Sequence, residues 1–174
     1  FVHPVFDKGV ETDGTTNVTT KMALAVTDAE NASLNYPPIT LPPGTFTISQ
    51  LDLDSNVTIA GAGKGKTILK STGANSAILK ITTGGNRVTL RDLTIEGTGA
   101  GSSQHGIEIV GSSPADIIVE NVDVTNVGGR ALYLNSPSSA IFSSVFKNIT
   151  AVNWNMAATS GVPAFDIDTD CPCV

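Results

Sequence analysis

The sequence predicts an all-β fold: a right-handed, single-stranded parallel β-helix closed at its N-terminal end by one capping α-helix. Two interleaved repeats and one amphipathic segment predict it. The first repeat is carried by Arg87–Glu96, Asp116–Thr125 and Ser143–Val152, which align on Asp92, Asn121 and Asn148, 29 and 27 residues apart. Each segment holds a polar residue between two short apolar alternations, the pattern of strand, sharp bend, strand. The second repeat aligns Lys80, Glu108, Tyr133 and Asp166 at steps of 28, 25 and 33. Two repeats with one shared period mean coils that bury their apolar sides only on one another. Val, Ile and Leu alternate with period two, so each coil is built of strands that pair with the next coil roughly 4.8 Å away.

Taken in order, residues 1–16 read as an extended polar arm, with Phe1–Phe6 as a short lead-in strand and Asp13-Gly14 as a turn. Residues 17–30 form the capping helix. Thr16 or Asn17 caps it, and Val18, Met22, Ala25, Val26 and Ala29 share one face. That face covers the first coil, whose strand edges otherwise invite pairing with other chains. Residues 31–174 supply the coils. Prolines between Tyr36 and Pro43 force an extended path into the strand Thr45–Ile48, and Asn56–Ala60 and Thr67–Lys70 follow as strands.

Gly61-Ala-Gly-Lys-Gly-Lys-Thr67 has the look of a phosphate-binding loop, but Ala60 stands where that motif needs its first glycine. Thr67–Ser71 reads as a strand, whereas a phosphate cradle needs a helix start there. These glycines are read as a coil corner. Asn in the bend column tolerates the left-handed conformation, and its amide can bond from coil to coil.

Composition narrows the function. The chain has 174 residues, with 10 basic against 16 acidic, a net charge of −6 and no basic cluster. Nucleic-acid binding is not expected, nor is membrane insertion. The chain begins at Phe1, not Met, and no signal-peptide pattern is read in it, so it is expected to be a processed chain or a piece of a larger one, with its coils cut short at Val174. Cys171 and Cys173 make a poor disulfide and a weak metal site, and His3 and His105 read as surface or corner residues. Asn17, Asn31, Asn56 and Asn148 stand in Asn-x-Ser/Thr triplets and read as structural first. No cofactor and no metal are expected.

Gly9–Thr16, the helix, Leu41-Pro-Pro-Gly-Thr-Phe46, Ser55–Gly63 and Thr67–Ser71 closely resemble the opening of pectate-lyase-superfamily β-helices, in the version found in bacteriophage tailspikes. The resemblance extends over about residues 7–154. It implies the fold, and beyond it a virion or extracellular appendage. Such a protein engages surface polysaccharide as a homotrimer, alongside other tail proteins. Because that family contains lyases, hydrolases and plain binding proteins, three classes stay open: an attachment protein, a depolymerase and a structural protein without catalysis.

The candidate site follows from period two. If Leu79, Ile107, Leu132 and Phe165 point inward, Lys80, Glu108, Tyr133 and Asp166 point outward in one axial column. Asp168 lies two residues beyond Asp166, level with Asn135. Glu108, Asp166 and Asp168 are the candidate catalytic carboxylates. Lys80, Tyr133, Asn135 and Trp154 are the candidate substrate-binding residues, the aromatics by stacking on sugar rings. Two coils separate Glu108 from Asp166 by about 9–10 Å, close to the spacing inverting glycosidases use. Charged side chains are also ordinary on the solvent face of a sheet. A calcium-dependent lyase would need Asp166, Asp168 and Asp170 to converge on one ion with a base nearby.

Overall fold

The computed structural model describes residues 4–31, 37–73, 77–82, 86–99, 104–111, 114–135, 143–155 and 163–168. They form the parallel β-helix. After a helical turn α1 (Pro4–Asp7), β1 (Asp13–Asn17) leads into α2 (Thr19–Asn31). The coils then run β2 (Ile39–Thr40), β3 (Gly44–Ile48) and β4 (Leu51–Leu53), followed by β5 (Thr58–Ala60), β6 (Thr67–Ser71) and β7 (Ala77–Ile81). β8 (Thr89–Glu96) shares its coil with β9 (His105–Val110), β10 (Ile118–Thr125) with β11 (Leu132–Asn135), and β12 (Val145–Val152) with β13 (Phe165–Asp168).

These strands stack into two parallel sheets. The eight-stranded sheet follows β1-β3-β6-β8-β10-β12, with β2 and β5 alongside, and the five-stranded sheet follows β13-β11-β9-β7-β4. β5 pairs with the first half of β8 and β6 with its second half. The later coils therefore fuse into one bent strand what the early coils build from two.

Register makes the core. Ile59, Leu90, Val119 and Phe146 are consecutive partners, as are Leu69, Ile95, Val124 and Ala151. Leu51, Leu79, Ile107, Leu132 and Phe165 form a third column on the five-stranded sheet. Within these columns every residue up to Val119, Val124 and Leu132 is buried. Burying each large aliphatic side chain stabilises by about 1.5–3 kcal/mol. At the last coil Phe146, Ile149 and Ala151 are only partly covered and Phe165 is 44% exposed. A largely apolar hollow opens there, bordered by Leu132, Leu134, Phe146, Ile149 and Phe165.

The bends are left-handed. Asp92, Asn121 and Asn148 hold φ of 59°, 55° and 51°. Asn121 Nδ2 donates to Asp92 Oδ1 (2.7 Å) and Asn148 Nδ2 to Asn121 Oδ1 (2.9 Å). Two further columns share this conformation: Asn126 with Asn153, and Asn56 with Arg87, Asp116 and Ser143.

α2 caps the first coil with the expected face: Val18, Met22, Ala25, Val26 and Ala29 are all buried. Asn17, not Thr16, serves its N-terminus, accepting from Thr19 N and Oγ1 at Oδ1 (3.0 and 2.6 Å). Thr16 is held instead by Asp13, whose Oδ1 accepts from the amides of Thr15 and Thr16. The expected lead-in strand is corrected: Pro4–Asp7 is helical. Proline suits a first helical position because its φ is already set and no N–H is needed there. Cys171, Cys173, His3 and Asp170 lie outside the described residues.

Thr67–Ser71 is a strand as expected, and the glycine-rich segment before it lies over the outer face of the eight-stranded sheet. Gly65 N donates to Thr94 Oγ1 (2.8 Å). Lys64 pairs with Asp123 at 2.9 Å and donates to Thr150 Oγ1 at 3.2 Å. Thr67 Oγ1, the hydroxyl a phosphate loop would offer to a metal, donates to Pro42 O and accepts from Ala62 N.

Candidate functional site

The outer face of the five-stranded sheet brings the predicted column together. Asp52, Lys80, Glu108, Tyr133 and Asp166 are consecutive Cα partners from coil to coil, and Asn135 is level with Asp168. For Asp166 and Asp168 this backbone register is what is placed; their side chains lie outside the described set. Asp52 continues the column one coil earlier than the sequence reading took it. It is exposed and accepts from Gln50 Nε2 (2.7 Å).

Glu108 departs from a freely solvated outward carboxylate: it is only 6% exposed. Lys80 Nζ lies 3.9 Å from its Oε2. Period two sets the side of the sheet, but the neighbours on that side decide the exposure. A half-covered ammonium next to a covered carboxylate forms a polar floor, with Tyr133 one coil further on.

Two residues outside the predicted set join the column. His105 and Arg130 occupy equivalent corners, three residues before Glu108 and Tyr133. Arg130 N donates to His105 Nδ1 (2.9 Å). With Nδ1 engaged as acceptor, the neutral imidazole carries its proton on Nε2. The Arg130 guanidinium sits 4.3 Å over the Tyr133 ring, within cation–π range. The His105 ring is 4.9 Å from Tyr133 with planes tilted by 55°. Tyr133 thus has a cation over its ring and a tilted imidazole beside it. The signal for these two was present in the sequence, since both sit at one position of the second repeat, but corner residues were read as architecture.

A close approach fixes this corner. An added Cβ at Gly106 would lie 2.4 Å from Val124 Cγ1 and 2.7 Å from Ala131 O. Only glycine lets β9 pass so near β10 and place His105 beside Arg130. Gly106 N donates to Arg130 O (2.9 Å) and Ile107 N to Ala131 O (3.0 Å), which locks the two corners in step.

Trp154 is placed elsewhere. It follows Asn153 as Val127 follows Asn126, and it packs partly buried against the core. The structure thus puts its ring with the apolar column and not on the outer face of the five-stranded sheet. Among the described residues no group of three or more His, Cys, Asp or Glu side chains is arranged to hold a metal ion. No helix of the described residues is long and apolar enough to cross a membrane.

No family model matches the chain, and no curated relative matches it. Solved structures do. The A-module of the Azotobacter vinelandii mannuronan C-5 epimerase AlgE4 matches with a TM-score of 0.65 at 20% identity, over 86% of this chain and 51% of that one. The AlgE6 A-module of the same organism matches with a TM-score of 0.65 at 24% identity, over 86% and 43%. A candidate glycosyl hydrolase from Parabacteroides merdae matches with a TM-score of 0.62 at 17% identity, over 96% and 80%. The chain spans about half the length of the two epimerase modules or less. At these identities the likeness establishes the shared fold.

Proposed function

We propose that this chain engages a polysaccharide laid along the outer face of the five-stranded sheet. One observation carries the reading: Asp52, Lys80, Glu108, Tyr133 and Asp166 recur once per coil in a straight axial column. The coil repeat of roughly 4.8 Å is close to the length of one sugar unit in an extended glycan. Successive rings therefore meet successive side chains in step. Tyr133, backed by Arg130, offers an aromatic face, while Lys80, Glu108 and His105 Nε2 offer charge and hydrogen bonds. The solved relatives support the reading through their names: two are mannuronan C-5 epimerase modules and one a candidate glycosyl hydrolase.

Turnover is the finer form of the proposal. Glu108 and Asp166 stand two coils apart, about 9.6 Å along the axis, near the carboxyl separation of inverting glycosidases. Asp168 is the second carboxylate on the same strand. The assay is retention on immobilised polysaccharide together with release of reducing or unsaturated ends. K80A/Y133A is expected to lose retention by at least tenfold, and E108Q to lose release while keeping retention. Unchanged retention by K80A/Y133A removes this face as the site.

The tailspike-type reading, a homotrimeric virion appendage on host polysaccharide, rests on the N-terminal motifs. Light scattering decides it, and a stable monomer removes it.

A further inference from the structure

On the eight-stranded sheet, away from that column, a second trough of about 250 Å3 runs across three coils. Asn56, Arg87 and Asp116 form one wall and Thr58, Thr89 and Ile118 the floor. Both rows advance one residue per coil, because Thr58, Thr89 and Ile118 are register partners. The wall is the left-handed column that precedes the strands, with φ of 61°, 59° and 57°.

Two features set this trough apart from an ordinary corner. The other left-handed corners on the eight-stranded sheet use Asp92, Asn121, Asn126, Asn148 and Asn153, residue types that tolerate the conformation, and the Arg87 column itself ends on the small Ser143. Arg87 does not belong to that group, and its long side chain is held on a strained backbone at φ 59°. Strain of this kind points to a role for the side chain itself. Second, Asn56 Oδ1 is buried in the trough wall and accepts no hydrogen bond among the described residues. A buried acceptor without a donor is unfavourable, and a ligand hydroxyl that reaches it offsets that cost.

We propose that this trough is a second carbohydrate site, taking one or two pyranose rings of a glycan that runs parallel to the helix axis. Its volume falls just below the roughly 300–1,000 Å3 of drug-sized pockets, the right scale for so short a stretch. Arg87 and Asp116 carry opposite charges one coil apart, so the wall is neutral overall. It suits the hydroxyls of an uncharged sugar better than a polyanion. The guanidinium fork donates, the Asp116 carboxylate and Asn56 Oδ1 accept, and Thr58 and Thr89 do either. Ile118 supplies the apolar surface on which the C–H face of a pyranose rests. This site stands independently of the one on the five-stranded sheet. Where one long polymer reaches both, the second contact raises avidity.

The test is affinity electrophoresis of the intact chain against dextran, galactomannan, mannuronan and iota-carrageenan, each as long polymer and as hexasaccharide. The trough variant is R87G/D116N, since Gly and Asn accept the left-handed backbone and the fold is kept; matching melting curves confirm this. At least one uncharged long polymer is expected to retard the wild type, with R87G/D116N weakening that retardation at least tenfold. K80A/Y133A reports on the other face separately. Equal retardation of R87G/D116N and wild type overturns the trough and leaves the other face standing. Loss in R87G/D116N with none in K80A/Y133A upholds the trough and removes the other face. No retardation by any uncharged polymer overturns the trough.

Discussion

Asn121 Nδ2 donates to Asp92 Oδ1 at 2.7 Å while both residues hold the left-handed backbone of the bend. One side chain thus does two jobs: it tolerates the turn and ties it to the coil before. Asn121 also accepts from Asn148, so it sits in the middle of the row. N121A removes two hydrogen bonds at about 1 kcal/mol each and puts alanine in a left-handed site at about 1–2 kcal/mol. A loss of about 3–4 kcal/mol is expected in urea unfolding. N121G keeps the backbone and is expected to lose about 2 kcal/mol. Equal losses would mean the bend conformation contributes nothing.

Glu30, in the last turn of α2, accepts from Asp54 N at 2.9 Å. Partial burial raises its pKa, that amide opposes the rise, and the Asp54 charge adds to it. The folded chain therefore holds this proton to higher pH than the unfolded chain. Its contribution to stability is largest below the unfolded value of about 4.3 and declines as pH rises through the folded one. E30Q keeps the acceptor and never ionises. Its melting temperature is expected to exceed the wild type at pH 7 and to converge with it near pH 4. A constant difference across that range refutes the assignment.

Asp13 works with the opposite sign. The Thr16 and Thr15 amides and the Thr16 hydroxyl hold its carboxyl well below the usual range. The stability it contributes is present above the unfolded value of about 3.9 and is lost as pH falls through the folded one. D13A is expected to lower the melting temperature at pH 7, with the gap narrowing in strong acid.

Gly106→Ala forces a methyl against Val124 Cγ1 and Ala131 O, contacts of 2.4 and 2.7 Å that include backbone. Overpacking of this kind costs about 1–3 kcal/mol. The same shift separates His105 from Arg130. Loss of stability and of polysaccharide retention together is expected, read by melting and by the retention assay.

The glycine-rich segment is clamped by Lys64 on Asp123 and Thr150. Its lysine and its Thr67 hydroxyl are engaged within the fold. Magnesium ATP at millimolar concentration is expected to leave the melting temperature unchanged. K64A is expected to cost about 1 kcal/mol or less, as partly exposed ion pairs do.

Much of this protein was determined by the chain alone. In stacked parallel coils, neighbours in space are residues one period apart, so a column such as Leu79, Ile107, Leu132 is legible as spacing. The Asn121 bend, the buried face of α2 and the coil-to-coil register of Lys80, Glu108, Tyr133 and Asp166 followed for that reason. The Asn126–Asn153 corner obeys the same rule but lies one residue beyond the aligned segments, while Asn56, Arg87 and Asp116 open their segments, where only the strand alternation was read.

Other relationships were decided only by the tertiary structure. Period two sends Glu108 outward, yet its cover depends on which groups lie over that face, and no spacing encodes that. The approach of Arg130 to Tyr133 and His105 depends on corner geometry, which varies from coil to coil with inserted loops. Lys64 reaches Asp123 across two strands because a long side chain on a folded-back loop follows distance and charge, not register. Periodicity reports backbone stacking; side chains at corners answer to packing and electrostatics once the coils are already in place.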